Sequence, residues 1–352
     1  MHRLQLGPID TSERVYVIAE LGVNHDGSVQ QAHELIDAAA NADADAIKLQ
    51  HFSADLLMGA AARLASYQQD AGETDPVEML ARLELPTQSL AELAEHAKAR
   101  DLDAIVTIFS TELVAEAAEV DWAAFKIASP DLIHRPLLDA IAALGRPMLV
   151  STGASTLDEV VRTRQWLQDL GPDRLAFMQC VSSYPAPSPE LGAIPTLAEA
   201  LDLTIGYSDH TEPIDTGRNA VRAGARVLER HLTLDRTLPG PDHAASLEPA
   251  DFAEYVRLAR RAVRDDSIEP APKRVLDCEQ DVRTVSRQSL AATRNLPAGH
   301  VLEASDLTCC RPGTGLPPFL IDDAIGQPLA TSIAARMPLT SEHVAVSAGA
   351  TP

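Results

Sequence analysis

The sequence predicts a (β/α)₈ barrel followed by a small β-rich domain, on three observations. Eight short apolar stretches have the length of strands, amphipathic helical patterns lie between them, and nearly every stretch ends in a polar or charged side chain. The stretches are VYVIAEL (15–21), DAIKLQHF (45–52), DAIVTIFS (103–110), FKIAS (125–129), PMLVSTG (147–153), LAFMQCVSS (175–183), TIGYSDH (204–210) and VLERHLTL (227–234). A doubly wound open sheet is the alternative, but eight regular units without a Gly-rich nucleotide loop favour closure.

The first stretch leads into a turn-forming loop, LGVNHDG, and Ser28 then offers an N-cap to the helical pattern SVQQAHELIDAAANA. After the second stretch comes a long gap, residues 53–86, read as an inserted loop with its own short helix. A helix starting at Thr87 precedes the third strand. The pattern STLDEVVRTRQWLQDLG after the fifth ends at Gly171, a residue suited to the position after a helix C-terminus. Residues 1–265 thus form the barrel and 266–285 a charged, proline-containing linker. Residues 286–352 form the small domain, with tight turns and a weak internal echo (ATRNLPAGHVLEASDL against AARMPLTSEHV). That domain is near the lower size for independent folding, so it is expected to dock on something larger.

The chain has 352 residues, 45% of them hydrophobic, and a net charge of −22, which argues against nucleic acid or an anionic membrane as partner. No apolar run approaches the roughly 20 residues of a membrane span, and MHRLQLGPID carries no secretory signal. Cys180, Cys278, Cys309 and Cys310 form no CxxC pair and suggest no disulfide framework, so a cytoplasmic location is expected. Of 29 basic residues four are lysines. Lys98 lies in a charged helix and Lys273 in the linker, whereas Lys48 and Lys126 sit inside apolar strands, where a lysine needs an anionic partner.

Barrel active sites lie where strands end. There the sequence puts Glu20, Lys48, Gln50, Thr107, Lys126, Ser129, Ser151, Thr152, Ser182, Asp209, His210 and His231. His210 and His231 end the seventh and eighth strands, which lie about 4.8 Å apart, so both imidazoles can reach one cation. Two protein ligands leave positions for substrate and water, in a site suited to Mn²⁺, Mg²⁺, Co²⁺ or Zn²⁺. The alternative is two histidines satisfied by neighbouring backbone. Lys48 and Lys126, with the hydroxyls of Thr107, Ser129 and Ser151, suggest capture of a phosphate or carboxylate. The alternative there is a salt bridge with Glu20 or Asp131. Asp242 lies in PGPDH, whose prolines stiffen the loop around it, although a surface turn would read the same way. His25, His51 and His243 are also near strand ends and rank as supporting residues.

Six segments in order, IAELGVNHDGS, IKLQ, FKIAS, GYSDHT, ERHLTLDRTLPGPDHAASLEP and RPGTG, make the chain resemble the N-acetylneuraminate (sialic acid) synthase family, with its legionaminate, pseudaminate and spore-coat polysaccharide synthases. The resemblance implies a barrel joined to an antifreeze-like (SAF) domain in a domain-swapped homodimer. It implies condensation of phosphoenolpyruvate with an open-chain, N-acylated mannosamine-type sugar to a nine-carbon 2-keto acid, releasing phosphate. It assigns a divalent cation, Mn²⁺ first with Mg²⁺ or Co²⁺ as alternatives, to His210 and His231. Phosphoenolpyruvate contacts fall on Lys48, Thr107, Lys126, Ser129 and Ser182, beside the hydroxyl of Ser151. Sugar contacts fall on Gln50, Tyr184, Asp242 and, from a partner's small domain, Arg311. Glu20 or Asp131 is the acid expected to take the proton from water, while Lys126 holds the reacting anion in line. The chain departs from common family patterns at Ser129-Pro130-Asp131, where SGE is usual, at Ser182, where some members carry Asn, and at Thr314 of RPGTG. Another phosphoenolpyruvate–aldose synthase and a non-catalytic sugar- or ice-binding protein are the competing readings.

Overall fold

The computed structural model describes residues 3–265 and 267–344. A short hairpin, β1 (Gln5–Leu6) and β2 (Ile9–Asp10), precedes the barrel. The barrel strands are β3 (Tyr16–Glu20), β4 (Ala46–His51), β5 (Asp103–Ile108), β6 (Ala124–Ile127), β7 (Met148–Ser151), β8 (Leu175–Cys180), β9 (Thr204–Asp209) and β10 (Val227–His231). All eight pair in parallel, and β10 returns to β3 with His231 opposite Glu20, closing the sheet.

The period of two along each strand divides its side chains between two environments. One set, including Val17, Ile47, Val106, Ile127, Val150, Phe177 and Leu228, packs against the surrounding helices. The other set points inward and changes character with height. Tyr16 and Ile18 are followed by Glu20, Ala46 by Lys48 and Gln50, Ile105 by Thr107, Ala124 by Lys126, Leu149 by Ser151, and Val227 by Glu229 and His231. Leu4 and Leu6, from the N-terminal hairpin region, join the lower apolar residues and plug that end of the barrel. Full burial of each such side chain contributes about 1.5–3 kcal/mol. The chemistry is therefore confined to the C-terminal end.

Ser28 caps α1 (Val29–Asn41) as expected, its hydroxyl accepting from the Gln31 amide. The 53–86 insertion holds three short helices rather than one: α2 (Ala54–Leu57), α3 (Ser66–Asp70) and α4 (Pro76–Leu83). Asp75 caps α4 through the amides of Val77 and Glu78. The helix Leu157–Trp166 stops well before Gly171, so that glycine is not its C-terminal cap. The Thr156–Glu159 capping box starts it.

Beyond the barrel, β11 (Ser289–Ala292) and β12 (Leu307–Cys310) form one antiparallel pair, supplemented by isolated bridges such as Leu296–Ile333 and Val301–Pro328. Strand content there is lower than the sequence suggested; Leu290 of β11 with Leu296, Leu302, Leu320, Leu329 and Leu339 makes a small core of its own. The expected docking surface is the insertion of the same chain. The Arg311 amide donates to Leu57 O (2.9 Å), the Gly59 amide to Arg311 O (2.9 Å), and the Arg336 guanidinium to Leu56 O and Met58 O (2.9 and 2.8 Å).

The linker stays on its own barrel. The Ala271 amide donates to Gly192 O (2.9 Å) and Lys273 to Cys180 O (3.3 Å), while Arg283 and Arg287 both grip Glu159 (2.8 and 2.7 Å). Burial opposes charge on Glu159, but the two guanidiniums override it and hold the carboxyl down to about 2. A depressed carboxyl adds stability that is present above its ordinary value and lost as pH falls towards the folded one. Glu159→Gln is therefore expected to cost about 2 kcal/mol at neutral pH. The gap to the parent should close as pH falls from about 4.5 towards 2, as thermal melts across that range would read.

Candidate active site

Two lysines share the barrel floor with two carboxylates. Lys48 Nζ lies 2.7 Å from Glu20 Oε2 and 3.4 Å from Glu229 Oε1, and donates to Thr107 Oγ1 at 3.1 Å. Lys126 Nζ lies 3.5 Å from the same Glu229 oxygen and donates to Ser151 Oγ at 2.6 Å. Ser208 Oγ also donates to Glu229 Oε1, at 3.0 Å. All of these groups are buried. Burial disfavours a charged Glu229, yet Lys126 and Lys48 outweigh it and hold the carboxyl down to about 2. For Lys48 burial wins, pulling it to about 7 despite Glu229, and the neighbouring Lys126 adds to the fall. The salt-bridge alternative is thus realised for Glu20, but with Glu229 as the shared counter-ion of both lysines. Sequence reasoning missed Glu229, although its signal was present: two residues before His231 on a strand, it must face the same way.

Beside this floor, Gly153 brings three elements close together. Its amide donates to Ser129 Oγ at 2.9 Å, and a Cβ built on it would overlap Ser182 Oγ. The loops here are tied from outside by Glu279 of the linker, whose Oε1 accepts from the amides of Ala154 (2.6 Å) and Ser182 (2.8 Å). Backbone and hydroxyl donors are in this way held around a space next to Lys126, as binding of a phosphate or carboxylate requires.

Opposite lies the histidine corner. The rings of His210 and His231 are 5.7 Å apart between centroids. His210 Nδ1 donates to Val181 O at 2.8 Å, which leaves its other nitrogen as an acceptor. Burial, with the Lys48 charge nearby, keeps His231 well below its ordinary value and so neutral, as a ligand must be. His231 Nδ1 is buried without a hydrogen-bond partner and lies 3.8 Å from Asp242 Oδ2. Among the described residues no group of three or more His, Cys, Asp or Glu converges as a closed cage. The corner fits a two-histidine site whose remaining positions are open to substrate and water.

Tyr184 lies over His210 (4.2 Å) and against Tyr67 of α3 (4.8 Å), a residue the sequence did not single out. Gly22, at φ +53°, lets Glu20, Gln50 and Asp242 converge; a Cβ there would sit 3.0 Å from Glu20 and 3.4 Å from each of the other two. Gln50 donates to Glu20 at 3.0 Å, and burial raises Asp242 to about 6.

The cavity is lined by every residue given a catalytic, anion, sugar or metal role except Asp131; of the other strand-end residues, Thr152 donates to Met178 O and Asp209 pairs with Arg230 instead. Asp131 follows Pro130 in the 3₁₀ turn Ser129–Ile133, which carries its carboxylate away to accept from Gln288 at 3.0 Å. Arg311, expected from a partner's small domain, lines the cavity of the one chain present, and the insertion pairs with its backbone on both sides. His25 accepts from the Gly27 amide, His51 meets Thr87, and His243 bridges Thr233 and Asp26. These three stand outside the cavity.

The NeuB family profile matches residues 35–266 and the SAF domain profile residues 287–345. An N,N′-diacetyllegionaminic acid synthase of Legionella pneumophila is 34% identical, covering 96% of this chain and 96% of its own. The N-acetylneuraminate-9-phosphate synthase of Homo sapiens is 31% identical, over 90% of this chain and 89% of its own. The crystal structure of the spore coat polysaccharide biosynthesis protein SpsE of Bacillus subtilis superposes with a TM-score of 0.81 at 29% identity, covering 97% of this chain and 99% of that one.

Proposed function

The chain belongs to the NeuB family, and we propose that it condenses phosphoenolpyruvate with an open-chain, N-acylated mannosamine-type aldose, releasing phosphate and giving a nine-carbon 2-keto sugar acid. The observation that carries this reading is the meeting, at one end of one barrel, of a two-lysine anion floor and a two-histidine corner around a shared cavity.

Lys48 and Lys126, with the hydroxyls of Thr107, Ser129, Ser151 and Ser182, hold the phosphate and carboxylate of phosphoenolpyruvate. Glu229 keeps the two ammoniums from repelling one another before the anion arrives. His210 and His231 would hold a divalent cation, Mn²⁺ first, which when bound polarises the sugar's aldehyde oxygen. The C2–C3 π pair of phosphoenolpyruvate forms the new bond from C3 to the aldehyde carbon, and the carbonyl electron pair passes to the oxygen, which takes up the proton released by the water below and becomes a hydroxyl. Water adds at C2 and gives its proton to a carboxylate. Glu20 fits that part, since it lines the cavity and is oriented by Gln50 and Lys48, whereas Asp131 is set back. The C–O bond to phosphate then breaks as the C2 hydroxyl passes its proton to the departing phosphate, leaving the keto acid. Gln50 and Asp242 meet the sugar's hydroxyls, Tyr184 lies against it, and Arg311 closes the mouth.

The test is phosphate release from phosphoenolpyruvate with Mn²⁺ and a panel of N-acylated aldoses, with products read by mass spectrometry. Sugar-dependent release with a nine-carbon keto acid is the expected result, and release indifferent to sugar would overturn it. A mixture of Lys126→Ala and Arg311→Ala chains tests which chain supplies Arg311, and continued inactivity would mean that each chain closes its own cavity. Recovered activity in the mixture would mean that the small domain is exchanged between chains.

A further inference from the structure

We propose that Glu279 and Lys273, from the segment joining the two domains, are positioning residues that hold the anion pocket and the histidine corner in one register. Both act through the backbone of Cys180, Val181 and Ser182. Their part rests on the reaction class proposed above, in which the two halves of the site must act together.

Glu279 and Lys273 are 1% and 6% exposed, and neither lines the cavity. Buried polar side chains need partners, and here the partners are main chain. Glu279 Oε1 accepts from the amides of Ala154 (2.6 Å) and Ser182 (2.8 Å), and Oε2 from the Leu276 amide (2.9 Å). Those amides occupy both oxygens, so Glu279 has no part in proton transfer at the substrate. Lys273 Nζ donates to Cys180 O at 3.3 Å. Burial pulls this lysine below its ordinary value, and Glu279 is the first of the charges that oppose the fall.

The ladder between β8 and β9 ends with Cys180 opposite Ser208. The next peptide group, between Val181 and Ser182, lies beyond it. Its C=O accepts from His210 Nδ1 at 2.8 Å and from the Ser183 amide at 3.0 Å, while its N–H donates to Glu279. A peptide group is planar, so the bonds to Glu279 and to His210 cannot move separately. A carboxylate on the N–H also polarises the C=O, which strengthens its bond to the imidazole. A firm partner on one ring nitrogen orients a ligand histidine and raises the basicity of the other. Glu279 therefore does through one peptide what a carboxylate touching the imidazole does directly.

The same Oε1 holds the Ala154 amide, next to Gly153, whose own amide donates to Ser129 Oγ at 2.9 Å. One carboxylate oxygen is thus common to the loops after β7 and β8 and, through the peptide, to the histidine after β9. Lys273 fixes the preceding peptide, so the tripeptide is gripped at both ends.

The experiment titrates the full chain with Mn²⁺ alone, read by electron paramagnetic resonance, and separately measures KM and kcat for phosphoenolpyruvate. Melting transitions establish that each variant is folded. In Glu279→Ala the Kd for Mn²⁺ and the KM for phosphoenolpyruvate are both expected to rise about 10-fold, the lower end of the range for outer partners of metal ligands. Glu279→Gln keeps an oxygen for the two amides and should recover most of both losses. Lys273→Met keeps the buried stem and should raise both by about 2- to 10-fold, the worth of one hydrogen bond. It carries the same test should Glu279→Ala fail to fold. A raised KM with Mn²⁺ affinity unchanged would overturn the link through the peptide, and no change in either quantity would overturn the inference whole. Failure of the parent to bind Mn²⁺ would remove the cation, and this inference with it. Absence of phosphate release from the parent with any aldose would remove the reaction class, whereas the Mn²⁺ titration needs no sugar and still tells whether Glu279 supports the histidine corner.

Discussion

Replacing Glu229 with Gln is expected to lower kcat/KM for phosphoenolpyruvate by about 100- to 1,000-fold, because one carboxylate serves two buried lysines. Removing a single partner from a buried charge network costs about 3–5 kcal/mol, since the charges left behind are uncompensated. Here the remaining charges also repel. At least one lysine should shed its proton to escape, and the pocket then lacks the charge its anion needs. Lys48 is the group to yield, as burial already holds it at about 7. For a lysine depressed in this way, the cost of burial is fully present below about pH 7. It is relieved as pH rises towards the unfolded value of about 10.4, so stability from this group grows with pH across that window. Anion capture runs the opposite way, falling as Lys48 deprotonates. The parent enzyme should therefore show an alkaline limb in kcat/KM for phosphoenolpyruvate beginning near pH 7, and Glu229→Gln should move that limb to lower pH. A pH profile that leaves the limb in place while activity falls would assign Glu229 some other part.

Why Glu229 escaped notice while Lys48 and Lys126 did not is a matter of physical contrast. A lysine in an apolar strand of a lysine-poor chain is conspicuous, but an acid beside Arg230 and His231 looks like a strand interrupted. The barrel itself was readable because most of its strands are apolar on both faces until their last residues, where the inward face turns polar. The insertion was visible as a gap, but its three helices are four, five and eight residues long, too short for a clear helical period. Tyr67 was hidden there. Glu279 had no signal to give: it sits in a charged, proline-containing linker, and its partners are backbone amides 97 and 125 residues away. Asp131 shows the opposite failure. Its position after β6 was right, but a 3₁₀ turn decided its direction. The two-lysine, two-histidine core of the site could be read one residue at a time, whereas the groups that hold the core in place are defined by long-range contacts.

Gly153→Ala is expected to cost about 100-fold in kcat/KM for phosphoenolpyruvate, for a reason of space rather than backbone conformation. A Cβ at this position overlaps Ser182 Oγ and comes within 2.9 Å of Ser129 Oγ and 3.2 Å of Cys180 Sγ. Ser182 cannot retreat freely, since its amide is held by Glu279 at 2.8 Å, and the Ala154 amide on the other side is held by the same oxygen. The donors must then shift by about 1 Å, a displacement that costs roughly 100-fold where geometry sets the rate. The stability loss should stay near 1–3 kcal/mol, as for other overpacked sites. The double variant separates crowding from any other cause. Ser182→Ala alone removes one hydroxyl donor, and in doing so clears the space that the Gly153→Ala methyl would enter. If crowding is the mechanism, Gly153→Ala adds little to Ser182→Ala, and the two effects are far from additive. If instead the losses multiply, Gly153 acts independently of Ser182, and the space around it is not what shapes the anion pocket.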